Sequence, residues 1–387
     1  MSAVISLKKA IKMKIQIHLY IFIALISFSK VTAQNFEVDG VKYNILNTTE
    51  VEVSNKPECY TGDIVIPETV ENLGVIYSVT AIGINAFYQC NGLTSINLPD
   101  SVTEIKSQAF LECTNLSSIN FTSSISTIGY MAFRNCTSLL SIDLSATILT
   151  EIGGYAFLRC ENTVSIILPN TLESIGNNVF HYCESLTQIN IPNTVKSIGT
   201  RAFAYSGLTS IDIPSSVTLI DNYAFEVCRD MKTVNVPSSV TSIGDYAFYG
   251  NYTLEAFNID IQVPLAITTS VFQGRNLSLV TLSVPVGSDS AYSTASIWQD
   301  FGTINGTLST NYLEKELVIK LFPNPATTNI SITGLSERSS YNVYDVVGKP
   351  ILKGTLLNGN SINIENLSSG LYFLKLKNRE AIKFIKP

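Results

Sequence analysis

An Ala-Phe or Val-Phe dipeptide returns eight times down the middle of the chain at nearly constant spacing. The phenylalanines are Phe87, Phe110, Phe133, Phe157, Phe180, Phe203, Phe225 and Phe248, at intervals of 22 to 24 residues, and a degenerate ninth copy follows at Phe272. A period in the low twenties, sustained over about half of a 387-residue chain, marks a solenoid and not a conventional globular enzyme. One such repeat has no second layer to cover its apolar side, so it becomes stable only when neighbouring coils stack on it.

The copy from Leu93 to Cys113 reads LTSINLPDSVTEIKSQAFLEC. Ile96 and Leu98 are two residues apart and point to one side of a strand, while Ser95 and Asn97 point to the other. Pro99 cannot donate to a ladder and closes the strand. The same apolar triple recurs, for example at Leu116, Ile119 and Phe121 and at Leu208, Ile211 and Ile213. Val102 and Ile105 then predict a second short extended segment. A glycine usually follows it (Gly129, Gly153, Gly176, Gly199, Gly244), and is expected to permit a sharp bend. The Ala-Phe turn carries the chain back, with alanine admitting close backbone approach and phenylalanine filling the coil. One residue is gained after Phe133 and one lost after Phe203. Both changes fall in turns, where they leave the strand register intact.

Six of the seven cysteines, Cys90, Cys113, Cys136, Cys160, Cys183 and Cys228, stand three residues after a repeat phenylalanine, with Ser206 and Asn251 in the same slot of two other copies. Cys59 lies near the equivalent place before the first strand. A small polar side chain at such a turn can satisfy free backbone groups. Coils stacked ~4.8 Å apart leave the Cβ atoms slightly too far apart for easy bridging, so the expectation is buried structural thiols. Disulfides are the alternative that an exported chain allows. Histidine is confined to His18 and His181. His181 sits in a turn with no nucleophile placed near it by any motif, which leaves no recognisable catalytic triad. No phosphate loop, zinc signature or acidic calcium loop occurs, so neither catalytic residues, a cofactor nor a metal is expected. A net charge of −6 argues against nucleic acid as a partner, and the 45% hydrophobic content excludes disorder.

The ends differ from the middle. Residues 1–33 read as a secretory leader: Lys8, Lys9, Lys12 and Lys14 precede the apolar run from Ile15 to Phe28, and Val31-Thr32-Ala33 forms a cleavage site. Met13 is an alternative start. The run is too short for a lasting membrane span, so no transmembrane segment is expected in the exported chain. Residues 34–61 alternate at Phe36, Val38, Val41, Tyr43 and Ile45 and are expected to form a β cap over the first coil. The solenoid then runs over 62–306, and its closing segment, with Tyr292, Ile297 and Trp298, suggests a short helical cap. A polar linker follows at 307–316. From 317 to 387 the period is two: Ile330 to Ile332, Tyr341 to Val347, Ile351 to Leu357, Ile362 to Ile364, Leu371 to Leu376 and Ile382 to Ile385. About six short strands in this space predict a small β-sandwich. The fold class is therefore mainly β, a solenoid of about nine coils of ~23 residues with an N-terminal β cap and a separate C-terminal sandwich.

The repeat LTSIxLPxSVTxIGxxAFxxC resembles the BspA-like class of leucine-rich repeats over about Gly62 to Phe301, and the segment VPVGSDSAYSTASIWQDF resembles that family's terminal cap. The resemblance implies a surface or secreted protein, and several members act as adhesins. The last part of the chain resembles the C-terminal sorting domain of the type IX secretion system. The matching features are Leu321-Phe322-Pro323-Asn324-Pro325-Ala326, the strand and turn Tyr344 to Lys349 with Gly348, the run Leu367 to Phe373 with Gly370 and Tyr372, and the closing Lys383-Phe384-Ile385-Lys386. That resemblance implies the type IX machinery as a partner and export through the periplasm to the outer surface or the medium.

By analogy with leucine-rich repeats, the Leu-x-x-Ile-x-Leu strand lines the concave side. Its outward positions form two polar ladders: Asn97, Asn120, Asp143, Asn190, Asp212, Asn235 and Asn258, with Ile167 interrupting, and Ser95, Ser118, Ser141, Ser165, Gln188, Ser210 and Thr233. As a set they offer spaced donors and acceptors to an extracellular protein or glycan. Taken singly, each is a solvated residue that suits an exposed sheet. The repeat tyrosines gather around the Ala-Phe turn instead, which makes that edge a rival surface. The reading is a non-catalytic, adhesin-like binding protein. A surface spacer without a specific ligand is the alternative.

Overall fold

The computed structural model describes residues 35–308 and 320–387, apart from 334, 336–338, 347, 358–359 and 377–380. The leader and most of the linker lie outside the described residues.

Each coil of the solenoid has three sides. One carries the Leu-x-x-Ile strand, and these strands pair in parallel with equivalent residues side by side: Ser95 with Ser118, Ser141 with Ser165, and Asp212 with Asn235. Ile96, Ile142, Ile211 and Val234 point inward and are buried. The strand face is not continuous. The coil holding Gln188 and Asn190 has no regular strand there, so Ser210–Asp212 opens a new sheet that runs through Thr233–Val236, Ala256–Ile259 and Thr281–Pro285 to Thr303–Leu308. The second side carries two-residue strands such as Glu104–Ile105, Thr127–Ile128, Ser197–Ile198 and Leu219–Ile220, again paired in parallel.

The third side is the Ala-Phe turn, where the backbone groups alternate between two uses. The amides of Gln108, Phe110 and Glu112 donate to Tyr130, Ala132 and Arg134 of the next coil, at 2.9, 2.7 and 2.8 Å. The intervening amides of Ala109, Leu111 and Cys113 donate back three residues within their own coil. This alternation satisfies the turn's buried amides, and it requires left-handed backbone two residues before and two residues after each phenylalanine. Gln108 and Glu112 stand at φ 59° and 63°. The pair recurs in every coil from Phe87 to Phe248, and only Gly250 fills one of these positions with glycine. A left-handed non-glycine residue costs about 1–2 kcal/mol, which the coil-to-coil bonds offset.

The glycine after the second strand has a different purpose from the bend expected of it. Gly129 and Gly153 do not have left-handed backbone. A Cβ on Gly129 would lie 2.5 Å from the amide of Ser107 in the coil before, and one on Gly153 would lie 2.5 Å from the carbonyl carbon of Gly129. These glycines let consecutive coils touch.

The interior is a column of stacked rings. From Phe87 to Phe272 each phenylalanine lies on the next with centroids 4.9 to 5.9 Å apart. Tyr60 covers the first ring at 4.7 Å, and Trp298 and Phe301 close the other end against Phe272. The N-terminal cap is a meander of Asn35–Val38, Val41–Ile45 and Glu50–Val53 that joins Val75–Ile82 in the sheet of the second side. The closing segment holds the short helix Asp289–Tyr292. Tyr292 and Trp298 bond the carbonyls of Ile261 and Leu265, and Thr303–Leu308 adds one further parallel strand.

The C-terminal region is antiparallel. Lys320–Phe322, Asn329–Thr333 and Ser361–Asn363 make one sheet, and Pro350–Leu356, Ser339–Tyr344, Gly370–Leu376 and Ala381–Lys386 make the other. Ile330, Ile332 and Ile362 of the first share a core with Val343, Leu374 and Phe384 of the second, a core distinct from that of the solenoid.

Candidate functional site

The strand-face ladder is present in part, and much of it is bonded to itself. Asn258 donates to Asn235 at 2.7 Å, and Asn235 donates to Asp212 at 2.5 Å. Asn120 turns its amide onto the backbone of Leu98, accepting from its N–H and donating to its carbonyl. Asp143 caps the amide of Ser145. Ser95 donates to Asp63 at 2.6 Å beside Thr94. Those two hydroxyls hold the Asp63 carboxyl below the usual range. Asp63 pairs with Ser95 in register, so it belongs to the ladder; its place just before Ile64 was the available signal. Asn97, Ser118, Ser141 and Gln188 are exposed, and Asn190, Ser210 and Thr233 are half-buried. In the fourth copy both expected outward residues, Ser165 and Ile167, are buried, so the outward row is broken there.

On the turn side the aromatic residues are organised by the left-handed positions. Tyr182 stacks on Tyr205 with centroids 4.6 Å apart, and Tyr223 on Tyr246 at 4.8 Å. The guanidinium of Arg159 lies 5.1 Å from the centre of the Tyr182 ring, and that of Arg201 lies 4.1 Å from Tyr223. Arg201 also reaches Glu226 at 3.1 Å. His181 packs against Tyr182 at 4.4 Å. Burial and then the charges of Arg201 and Arg159 push its imidazole down to about 4, so it is neutral near pH 7. Tyrosine content marked this edge in the sequence; Arg159, Arg201 and Glu226 were not singled out there.

The cysteine column is structural. The thiols of Cys113, Cys136, Cys160, Cys183 and Cys228 donate to the carbonyls of Phe87, Phe110, Phe133, Phe157 and Phe203 in the preceding coil. Asn251 does the same to Phe225. Burial pushes the thiols of Cys113, Cys160 and Cys228 up to about 12, so they stay in the protonated form that can donate. The first step departs from the expectation, because Cys59 and Cys90 form a disulfide. Cys90 has no preceding Ala-Phe coil to bond. Cys59 comes from the capping turn, and its Cα lies 5.2 Å away, inside the bridging range. Among the described residues no group of three or more His, Cys, Asp or Glu could hold a metal ion.

In the C-terminal region the expected motif residues gather on the last strand. Asn324, between Pro323 and Pro325, donates to the carbonyl of Lys383 and accepts from the amide of Ile385. Lys386 bonds the carbonyl of Thr327, and Gly370 pairs with Lys386 in register. Tyr372 stacks on Phe384 and donates to the carbonyl of Ser368. Gly348, at φ 82°, makes the turn that returns to Asp345.

A family model described as the BspA type leucine rich repeat region matches residues 59–162 and 150–278 in six copies, more than half of the chain. The chain belongs to this family. The BspA-type repeats are followed by a match to the secretion system C-terminal sorting domain over residues 320–386, which implies export to the cell surface or secretion. Among solved structures, the BspA-type chain is similar to a leucine rich cell surface protein of Faecalibacterium prausnitzii (23% identity, 72% of this chain and 96% of that one, TM-score 0.46). It is also similar to a leucine-rich repeat protein of Bacteroides ovatus (25%, 67% and 80%, 0.35) and to the leucine rich repeat protein of T. pallidum (26%, 57% and 91%, 0.39). A search of curated proteins finds no match. No helix among the described residues is long and apolar enough to cross a membrane.

Proposed function

We propose that this BspA-type protein is a non-catalytic, adhesin-like binder of extracellular protein or glycan, carried to the cell surface or the medium by the type IX route. One observation carries the reading. The inside of the solenoid is filled by its ring column, and its buried thiols are held protonated on backbone carbonyls. Chemistry able to meet a partner is thereby left to the outside of the coils, where it repeats at regular steps. Such surfaces recognise by many small, spaced contacts. The machinery of the sorting domain is the second partner, met through the C-terminal sandwich that holds Pro323, Asn324 and Pro325 against the last strand.

The spacer reading has its own support, since the bonds linking Asn258, Asn235 and Asp212 and those around Asn120 and Asp63 occupy much of the ladder's capacity. A binding screen of the full chain against matrix proteins, mucins and cell-wall glycans separates the two. A saturable partner is expected. A surface-exposed protein with no saturable partner in the screen would leave the spacer.

A further inference from the structure

We infer that the binding face is the tyrosine–arginine edge of the Ala-Phe turns, and that it takes an acidic segment of polypeptide. The inference rests on the binding reading above and narrows it to one face and one partner chemistry. Arg159, Tyr182, Tyr205, Arg201, Tyr223 and Tyr246 belong to five consecutive coils and form two ring stacks, each with a guanidinium on its first ring. Tyrosine and arginine are the residue types that anchor protein interfaces. Here the backbone beneath them is fixed before any partner arrives, because all six lie at left-handed turn positions flanking a repeat phenylalanine, and the amides of Arg159, Tyr182, Arg201, Tyr205 and Tyr223 bond His181, Ala204, Asn222, Glu226 and Asp245 of the next coil. The ring stacks and the guanidinium contacts restrain the side chains as well, which reduces the freedom lost on binding.

The charge on this edge selects the partner. Arg159 is exposed, and among the described residues it meets no carboxylate; its side-chain contact is the Tyr182 ring. Arg201 gives its Nε to Glu226, which leaves further N–H donors on the same fork. His181 between them is neutral. Within each pair the two rings cover one face of each other, and a guanidinium lies over Tyr182 and over Tyr223, so the stacks combine cationic donors with ring edges, which are electropositive. A sugar lying flat needs a free aromatic face, and the stacking leaves these rings fewer of them. Carboxylates and peptide carbonyls need donors and positive edges, which the stacks supply.

The test titrates the full chain with poly-L-glutamate and, separately, with chondroitin sulfate, at low and moderate salt. Variants are Arg159→Glu on the edge and Asn235→Ala on the strand face, each checked by circular dichroism. Saturable, salt-weakened binding of poly-L-glutamate is expected, reduced at least tenfold by Arg159→Glu and unchanged by Asn235→Ala. Equal affinity in wild type and Arg159→Glu overturns the inference, as does the lack of any poly-L-glutamate binding by wild type. Arg159-dependent binding of chondroitin sulfate alone overturns it in favour of a glycan. Loss of binding only in Asn235→Ala moves the site to the strand face and leaves the binding reading standing. That reading fails separately, when the screen of matrix proteins, mucins and glycans yields no saturable partner.

Discussion

Gln89 stands in solvent at φ 57°, two residues after Phe87, and reaches the Glu112 carboxylate at 2.8 Å. Its amide donates to Leu111 of the next coil, so the backbone cannot relax out of the left-handed region without losing that bond. The exposed side-chain contact contributes little; the conformation dominates. Gln89→Gly is therefore expected to be more stable than Gln89→Val by about 1–2 kcal/mol, read from urea unfolding midpoints of the two variants. Equal midpoints would show that the turn carries no such strain. His181 offers a second test. Its folded-state value near 4 lies below the ordinary 6.5, so between these limits the unfolded chain binds more protons than the folded one. Stability is lost as pH falls from about 6.5 to about 4. His181→Gln should remove this component, leaving a shallower loss of melting temperature across that window than wild type shows. A ring proton signal of His181 that titrates near 6.5 in the folded protein would contradict the buried, arginine-flanked environment.

At the scale of the coil, the phenylalanine and cysteine columns were legible because each residue type serves one slot and returns at the coil period. The left-handed pairs were not legible. Gln, Glu, Met, Tyr and Arg occupy those positions, and none of them signals positive φ as glycine would; only the backbone pairing between coils reveals the need. The Cys59–Cys90 bridge was hidden because the first coil contains an extra hairpin, Thr69–Asn72 with Val75–Ile82. That hairpin stretches one coil step to 31 residues and takes Cys59 out of the sequence period, though the two residues are neighbours in space. The strand-face ladder could be located by period two, but its self-bonding could not, since asparagine looks the same whether it faces solvent or its neighbour. If each coil interacts only with the next, the array should tolerate loss of a whole period. Deleting 181–203 joins Phe180 to Ala204 and restores the Phe-Ala sequence of the turn in register. That deletion should give a folded, cooperative solenoid with a lower melting temperature, whereas deleting 181–192 should not fold. Comparable melts for the two deletions would mean that coil register is not what specifies this structure.

Across the whole molecule, two separate apolar cores imply two separable tasks. The buried solenoid core is drawn from Val41 to Phe301, with Phe36, Val38 and Ile304 packed against it, while the C-terminal core is drawn from Ala326 to Phe384. The five free thiols are buried and held on carbonyls, which limits their access to an oxidant, and Cys59 and Cys90 are bridged. The C-terminal sandwich carries the motif that resembles a sorting signal, with Asn324 tying the last strand in place. Removing 317–387 should leave the melting behaviour of the solenoid nearly unchanged while confining it to the periplasm, measured by fractionation and by protease accessibility on whole cells. Unaltered surface display would detach the C-terminal domain from export. An unfolded truncation product would show instead that the two cores depend on one another. A milder change, Asn324→Ala, removes two bonds to the last strand without deleting it. If the held strand is what the export machinery reads, this variant should shift much of the protein from the surface to the periplasm, with the solenoid still folded.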